Sequence, residues 1–237
     1  MASMSDPFHP DTSERRFGHI KSFVRRQGKI TAGQRLAREQ LLARWSLPFQ
    51  TAPLQFTEVF GRAAPVTLEI GFGMGETTAA MAKAMPERDF LGLEVYPAGV
   101  GALLRRIEEE QLSNVRILEH DAVEVLTHCI PDASLASVHI YFPDPWPKAR
   151  HHKRRLIQPP FIEQLVPKLQ LGGLLHCATD WAPYAEQMLS VLQGCERLQN
   201  CSDQGYSPRP SWRPETKFEQ RGLRLGHSVA DLLFTRL

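Results

Sequence analysis

The chain has 237 residues, 42% of them apolar and 23% charged, with a formal net charge of +2. That is ordinary for one sizeable globular domain, with or without an extension. No apolar run approaches the length of a membrane span, and the opening "MASMSDPFHPDTSERRF" lacks the apolar stretch of a secretory signal. Cys129, Cys177, Cys195 and Cys201 show no CxxC spacing, so reduced thiols in a cytoplasmic protein are expected.

The distribution of charge says more than its sum. Arg15 to Arg44 holds nine Lys/Arg (Arg15, Arg16, Lys21, Arg25, Arg26, Lys29, Arg35, Arg38 and Arg44) and one acid, Glu39. Lys148, Arg150, Lys153, Arg154 and Arg155, with His151 and His152, form a second basic run without an acid, whereas 66–145 is acidic on balance. Two basic patches beside an acidic pocket point to a polyanion outside and a cation inside; the plain alternative is a pair of solvated faces.

Residues 1–50 read as a basic arm, partly disordered, with a short helix near 33–45, and 51–237 as the main domain. Within that domain, "VTLEIGF" (66–72) is a short apolar run ending in glycines, a buried-strand signal. "ETTAAMAKAM" (76–85) is helical and closed by Pro86. "DFLGLEV" (89–95) is a second strand. In 98–111, Val100, Leu103, Leu104 and Ile107 recur at the spacing of an amphipathic helix. A third strand over 115–121 precedes a short helix at 123–130, and "LASVHIYF" (135–142) is a fourth strand. "PPFIEQLVPKLQ" (159–170) reads as a helix opening with proline, and "GGLLHCATD" (172–180) as a fifth strand. Tyr184, Met188, Val191 and Leu192 mark the inward stripe of the next helix. After a Pro/Gly-rich segment (204–214), "SVADLLFTRL" (228–237) closes as a strand. Alternating strands and helices predict a Rossmann-like α/β fold, a mostly parallel sheet with helices on both faces, whose ligands sit beyond the C-terminal strand ends.

The unusual polar residues fall at those ends. Gly71, Gly73 and Gly75 make G-x-G-x-G, not the dinucleotide G-x-G-x-x-G, whose third glycine would fall at Glu76. A glutamate there opposes a diphosphate, and Glu69 adds a second acid beside the turn. Glu94, ending strand two, is placed to accept from ribose hydroxyls, and Asp121, ending strand three, from an adenine amine. The bland alternatives are caps: Glu69 on the loop backbone, Asp121 on the helix near Val123. Glycine turn, ribose acid and adenine acid together describe a nucleoside with a short cationic tail. S-adenosylmethionine fits that description better than NAD.

"FPDPWPKARHHKRR" (142–155), "LEIGFGMGE" (68–76), "TKFEQRG" (216–222), "FVRRQGKIT" (23–31) and "ATDW" (178–181) resemble the bacterial tRNA (guanine-N7-)-methyltransferase family over most of the chain from about residue 20. The resemblance implies an S-adenosylmethionine-dependent enzyme that methylates N7 of a guanine in the tRNA variable loop. It gives the catalytic role to Asp144, and substrate contacts to Lys148, Asp180 and the stretch Thr216, Lys217, Phe218 and Glu219. Read from the residues alone, Asp144 follows strand four where it faces a methyl donor, and Pro143, Pro145 and Pro147 stiffen its loop. Trp146 offers a face or lid for a flipped base, or else anchors the core. Lys148, Arg150, His151, His152, Lys153, Arg154 and Arg155 then grip phosphates and bring a nucleotide to Asp144.

Three rival readings were weighed against this one. An amino-methyltransferase of nucleic-acid bases carries D-P-P-[YW] after strand four, but here the order is Pro143-Asp144-Pro145-Trp146. A non-catalytic RNA-binding module needs no acid at strand four. A NAD-dependent reductase is disfavoured by the glycine spacing and the lack of a Tyr-x-x-x-Lys pair. The histidines show no ligand spacing, so no metal is expected, and His139 and His176 read as satisfied core residues. The expected partner is tRNA, with no membrane contact, for a monomer or a homodimer.

Overall fold

A computed structural model describes residues 21–23, 30–215, 219–220 and 228–237. Seven strands, β1 (Val66–Ile70), β2 (Asp89–Leu93), β3 (Val115–Leu118), β4 (Leu135–Tyr141), β5 (Leu169–Thr179), β6 (Leu198–Asn200) and β7 (Ala230–Arg236), form one sheet. Their order is β3-β2-β1-β4-β5-β7-β6. Pairings from β3 to β5 are parallel, and β7 runs antiparallel to both of its neighbours. The helices are α1 (Ala32–Trp45), α2 (Phe56–Phe60), α3 (Glu76–Ala84), α4 (Pro97–Glu109), α5 (Ala122–His128), α6 (Pro159–Leu165) and α7 (Ala182–Gln193).

The predicted α/β architecture is what the chain adopts, for the expected reason. Val66–Ile70 and Asp89–Leu93 are buried along their whole length, because helices cover both faces of a parallel sheet. One apolar layer joins α1, α3 and α4 to the sheet through Ala37, Met81, Leu103 and Ile107. The other joins α5, α6 and α7 through Leu126, Phe161, Leu165, Tyr184 and Met188. Val100, Leu103, Leu104 and Ile107 are fully buried, as their spacing predicts.

The expected helix over 159–170 is too long. Pro167 has no N–H to donate and restricts the residue before it, so α6 ends at Leu165, a single 3-10 turn follows at Val166–Lys168, and Leu169 already begins β5. The short strand β6 and helix α2 carry too few residues for a periodic signal and were not foreseen.

α1 is built into this unit. Thr31 and Gln34 form a reciprocal capping box at its start. Arg38 donates to Glu119 at 2.7 Å, and Ser46 bridges to Ile117 of β3 in parallel. Of the earlier part of the basic arm, only Lys21–Phe23 and Ile30–Thr31 fall among the described residues.

Candidate active site

The strand order reverses between β1 and β4, and the crevice at that switch point lies beyond the strands' C-terminal ends. A cleft of about 210 Å³ opens there. It is lined by Gly71 after β1, Glu94 and Val95 after β2, His120 and Asp121 after β3, and Tyr141, Phe142, Pro143 and Asp144 at β4. Gly71, Glu94, Asp121 and Asp144, proposed from sequence at four separate strand ends, therefore share one cavity.

Glu94 organises the cofactor side of this cavity. Its Oε2 accepts from the Gly73 N–H at 2.8 Å, and its Oε1 from the Val95 and Tyr96 N–H groups at 2.7 and 3.0 Å. Burial raises its pKa, these backbone donors oppose the rise, and Asp144 adds to it by like-charge repulsion. The carboxylate thus ties the glycine turn to the start of α4. A Cβ on Gly99 would lie 2.1 Å from the Gly73 carbonyl oxygen, so helix and turn touch backbone to backbone. Gly71 takes φ 75°, and a Cβ there would meet no protein atom within 4 Å, which leaves the turn open for a ligand to approach.

Glu69 sits one layer lower. It is buried in β1, accepts from the Thr78 hydroxyl at 2.6 Å, and is not among the residues lining the cleft. Burial, with Glu94 close by, raises its pKa to about 7. Asp121 does two things at once: it lines the cleft, and as N-cap of α5 it accepts from the Val123 N–H at 3.0 Å.

The acceptor side is built differently. Phe142 and Trp146, on either side of Asp144, take φ of 50° and 45°, a left-handed backbone that costs an L residue about 1–2 kcal/mol each. Such strain persists only where the surroundings over-determine it. Arg155 supplies part of that constraint. Expected as a phosphate contact, it is instead 4% exposed. Its Nε donates to the Pro145 carbonyl at 2.8 Å, its Nη1 to Gln187 Oε1 at 2.5 Å, and its guanidinium stacks on Tyr184. All three guanidinium nitrogens contact protein groups, so Arg155 fastens the Asp144 loop to α7 and leaves the cationic rim.

Arg154 lies with its guanidinium 4.2 Å from the centre of the Trp146 ring, donating to the Lys21 and Phe23 carbonyls. The Trp146 indole N–H donates to the Ser22 carbonyl at 3.0 Å, and Ser22 and Phe23 line the cleft. Trp146 is therefore half-buried under the arm and Arg154, neither an open stacking face nor a core anchor. Lys148, Arg150 and Lys153 are exposed, as a phosphate grip requires, with His151 partly exposed among them. Desolvation first, then these cations, lowers the His151 pKa. His152 contacts Arg155 at 3.1 Å.

Asp180 follows β5, partly exposed, outside the lining of the cleft. Thr216, Lys217 and Phe218 lie outside the described residues. Glu219 is 3% exposed and bonded to Arg213 at 2.6 and 2.7 Å, so in this structure it faces an arginine rather than an open acceptor edge. Of the two strand histidines, His176 is satisfied by Tyr141 and Asp231, whereas His139 Nδ1 is buried with no hydrogen-bond partner among the described residues. Burial lowers the His139 pKa to about 3, so its ring is neutral.

The carboxylates at the strand ends and the open glycine turn fit a nucleoside bearing a positive charge. Sequence reasoning missed His120, Val95, Tyr141 and Phe142 as lining residues. Their adjacency to Asp121, Glu94 and the strand-four loop was the available signal.

A family model described as "Putative methyltransferase" matches residues 63–232. The tRNA (guanine-N(7)-)-methyltransferase of Bordetella pertussis strain Tohama I is 62% identical over 218 residues, spanning 92% of this chain and 85% of that protein. The protein of the same name from Polaromonas sp. is 53% identical over 234 residues, spanning 98% of this chain and 95% of that one. Among solved structures, the 16S rRNA methyltransferase KamB shares the fold with a TM-score of 0.56 at 15% identity, over 76% of this chain and 92% of that one. With the family model covering most of the chain and relatives this similar end to end, the chain belongs to the tRNA (guanine-N(7)-)-methyltransferase family.

Proposed function

We propose that this protein transfers a methyl group from S-adenosylmethionine to N7 of a guanine in the variable loop of tRNA, in the cytoplasm. The observation that carries the reading is the gathering of Gly71, Glu94, Asp121 and Asp144 around one cleft, with Lys148, Arg150 and Lys153 exposed beside it. Bound there, S-adenosylmethionine supplies an electrophilic methyl on a sulfonium. Glu94 and Asp121 would hold ribose and adenine, with about one acceptor lone pair left on Glu94 beyond its three backbone bonds.

Guanine N7 carries a lone pair and no proton, so attack there requires no general base. It requires an in-line approach at about 3–3.5 Å and stabilisation of the positive charge that grows on the purine. Asp144 supplies the anion for that charge, on a loop stiffened by three prolines and fastened by Arg155. The exposed cations position the ribose-phosphate chain without reading its sequence.

The test is incubation of the protein with labelled S-adenosylmethionine and an unmodified tRNA transcript, followed by nucleoside analysis and mapping of the modified position. One 7-methylguanosine in the variable loop is expected. Label on an exocyclic amine, or RNA binding with no transfer, rejects the reading.

A further inference from the structure

Glu219 and the β4 tip are joined by a buried hydrogen-bonded chain whose hub is Arg213. Arg213 is 1% exposed and commits four of its five N–H groups to two carboxylates. Nε and Nη2 donate to the two oxygens of Asp231 on β7 at 2.7 and 2.9 Å. Nη1 and Nη2 donate to the two oxygens of Glu219 at 2.6 and 2.7 Å. Both pairs are bidentate, the geometry that adds direction to affinity.

From Asp231 the chain continues into the cleft wall. Asp231 Oδ1 lies 2.7 Å from His176 Nε2, and His176 Nδ1 lies 3.0 Å from the Tyr141 hydroxyl. With the carboxylate as acceptor, Nε2 carries the proton and Nδ1 accepts from Tyr141. The Arg213 guanidinium also lies 5.9 and 5.8 Å from the Tyr141 and Phe142 ring centres. Those two residues line the cleft immediately before Pro143 and Asp144, and Phe142, like Trp146 on the other side of Asp144, has a positive φ. Burying a cation and two anions is costly, and simple stability does not explain it, because apolar residues of equal volume would serve as well or better. What such a cluster provides is fixed geometry between the elements it joins.

We propose that Arg213 is a positioning residue for the methyl acceptor: by clamping Glu219 and Asp231 behind Tyr141 and Phe142, it fixes the β4 tip that carries Asp144 before tRNA arrives. The proposal rests on the function given above. It assigns Arg213 no contact with cofactor or base and places its effect on the reactive alignment rather than on cofactor affinity.

The experiment uses the full chain and begins with wild-type 7-methylguanosine formation. Absence of that product overturns the function and this proposal together. With product formed, Arg213→Lys keeps the charge and loses the fork. Because a displacement of about 1 Å costs roughly 100-fold, kcat is expected to fall about 100-fold at saturating tRNA, with the Kd for S-adenosylhomocysteine within about twofold of wild type. In a double-mutant cycle with Glu219→Gln, the two losses in kcat should be strongly non-additive, because each acts through the other. Undiminished kcat, additive losses, or a parallel fall in cofactor affinity overturns the proposal while leaving the function standing. Should Arg213→Lys fail to fold, Asp231→Asn replaces it: kcat lowered about tenfold with cofactor affinity intact supports the role, and unaltered kcat overturns it.

Discussion

The two walls of the cleft are held by different kinds of bond. On the cofactor wall, Glu94 accepts from the backbone of residues 73, 95 and 96, and Asp121 from residue 123. These partners belong to successive strand-to-helix turns. On the acceptor wall, Arg155 reaches across 32 residues to Gln187, Tyr141 across 35 to His176, and Trp146 across 124 to Ser22. The first wall is a local consequence of its turns. The second exists only when distant segments are already packed. Damage to the first should therefore appear as lost cofactor affinity, and damage to the second as lost turnover or stability.

The sharpest separation is expected at Asp144. On the proposed function, Asp144→Asn removes the anion that would face the purine's developing charge and should lower kcat by about 10²–10³-fold, while calorimetric affinity for S-adenosylhomocysteine changes little. Turnover at the wild-type level would show that the β4 acid is a bystander. Next, Glu94→Ala removes the acceptor of one charge-assisted bond from the glycine turn and of two from residues 95 and 96, and should weaken cofactor binding by about 100-fold. Retained affinity would erase the contrast between the walls.

Arg155 and Lys153, two residues apart in the same basic run, should behave in opposite ways. Arg155→Met leaves the Pro145 carbonyl and Gln187 without their donor and is expected to cost about 2 kcal/mol, or ~4–8 °C in melting temperature, with the salt dependence of tRNA binding unchanged. Lys153→Ala should leave the melting temperature alone and flatten the slope of log affinity against log salt by about 0.7–0.9. Equal behaviour would mean that the run is one surface after all.

A change confined to the pH dependence of stability is expected at Glu69. Its folded pKa of about 7 lies above the ordinary value of 4.5, so its protonated form is favoured in the native state. That contribution to stability is fully present below pH 4.5 and is lost as pH rises through 7. Glu69→Gln, which cannot ionise, should remove this fall in stability between pH 5 and 7 as read by thermal melts. A slope identical to wild type would place the titration elsewhere.

The same contrast explains what could be read from sequence. Glu94 and Asp121 were legible because strand ends and cap positions follow from periodicity and turn residues over a dozen positions. The helices α3, α4 and α7 were legible for the same reason. Arg155 was not, since composition makes five neighbouring cations look alike, and only Gln187, Pro183 and Tyr184 on α7 single one out. Arg213 lies in a Pro/Gly-rich stretch that reads as a loop, and its two carboxylates stand 6 and 18 positions further along. The overlong helix at 159–170 was a different failure: apolar content was allowed to outweigh Pro167.

The placing of β7 has a consequence for how the molecule is made. β6 precedes β7 in the chain yet, among the described residues, pairs with no other strand, and β7 fills the space between β6 and β5. During synthesis on the ribosome, Leu198–Asn200 must wait for its strand partner until 230–236 has emerged. Asp231, the anchor for Arg213 and His176, arrives in that same segment. A nascent chain with the β1–β5 core already collapsed would thus own a cofactor wall before it owned an acceptor wall, and competence toward tRNA would be the last property to appear.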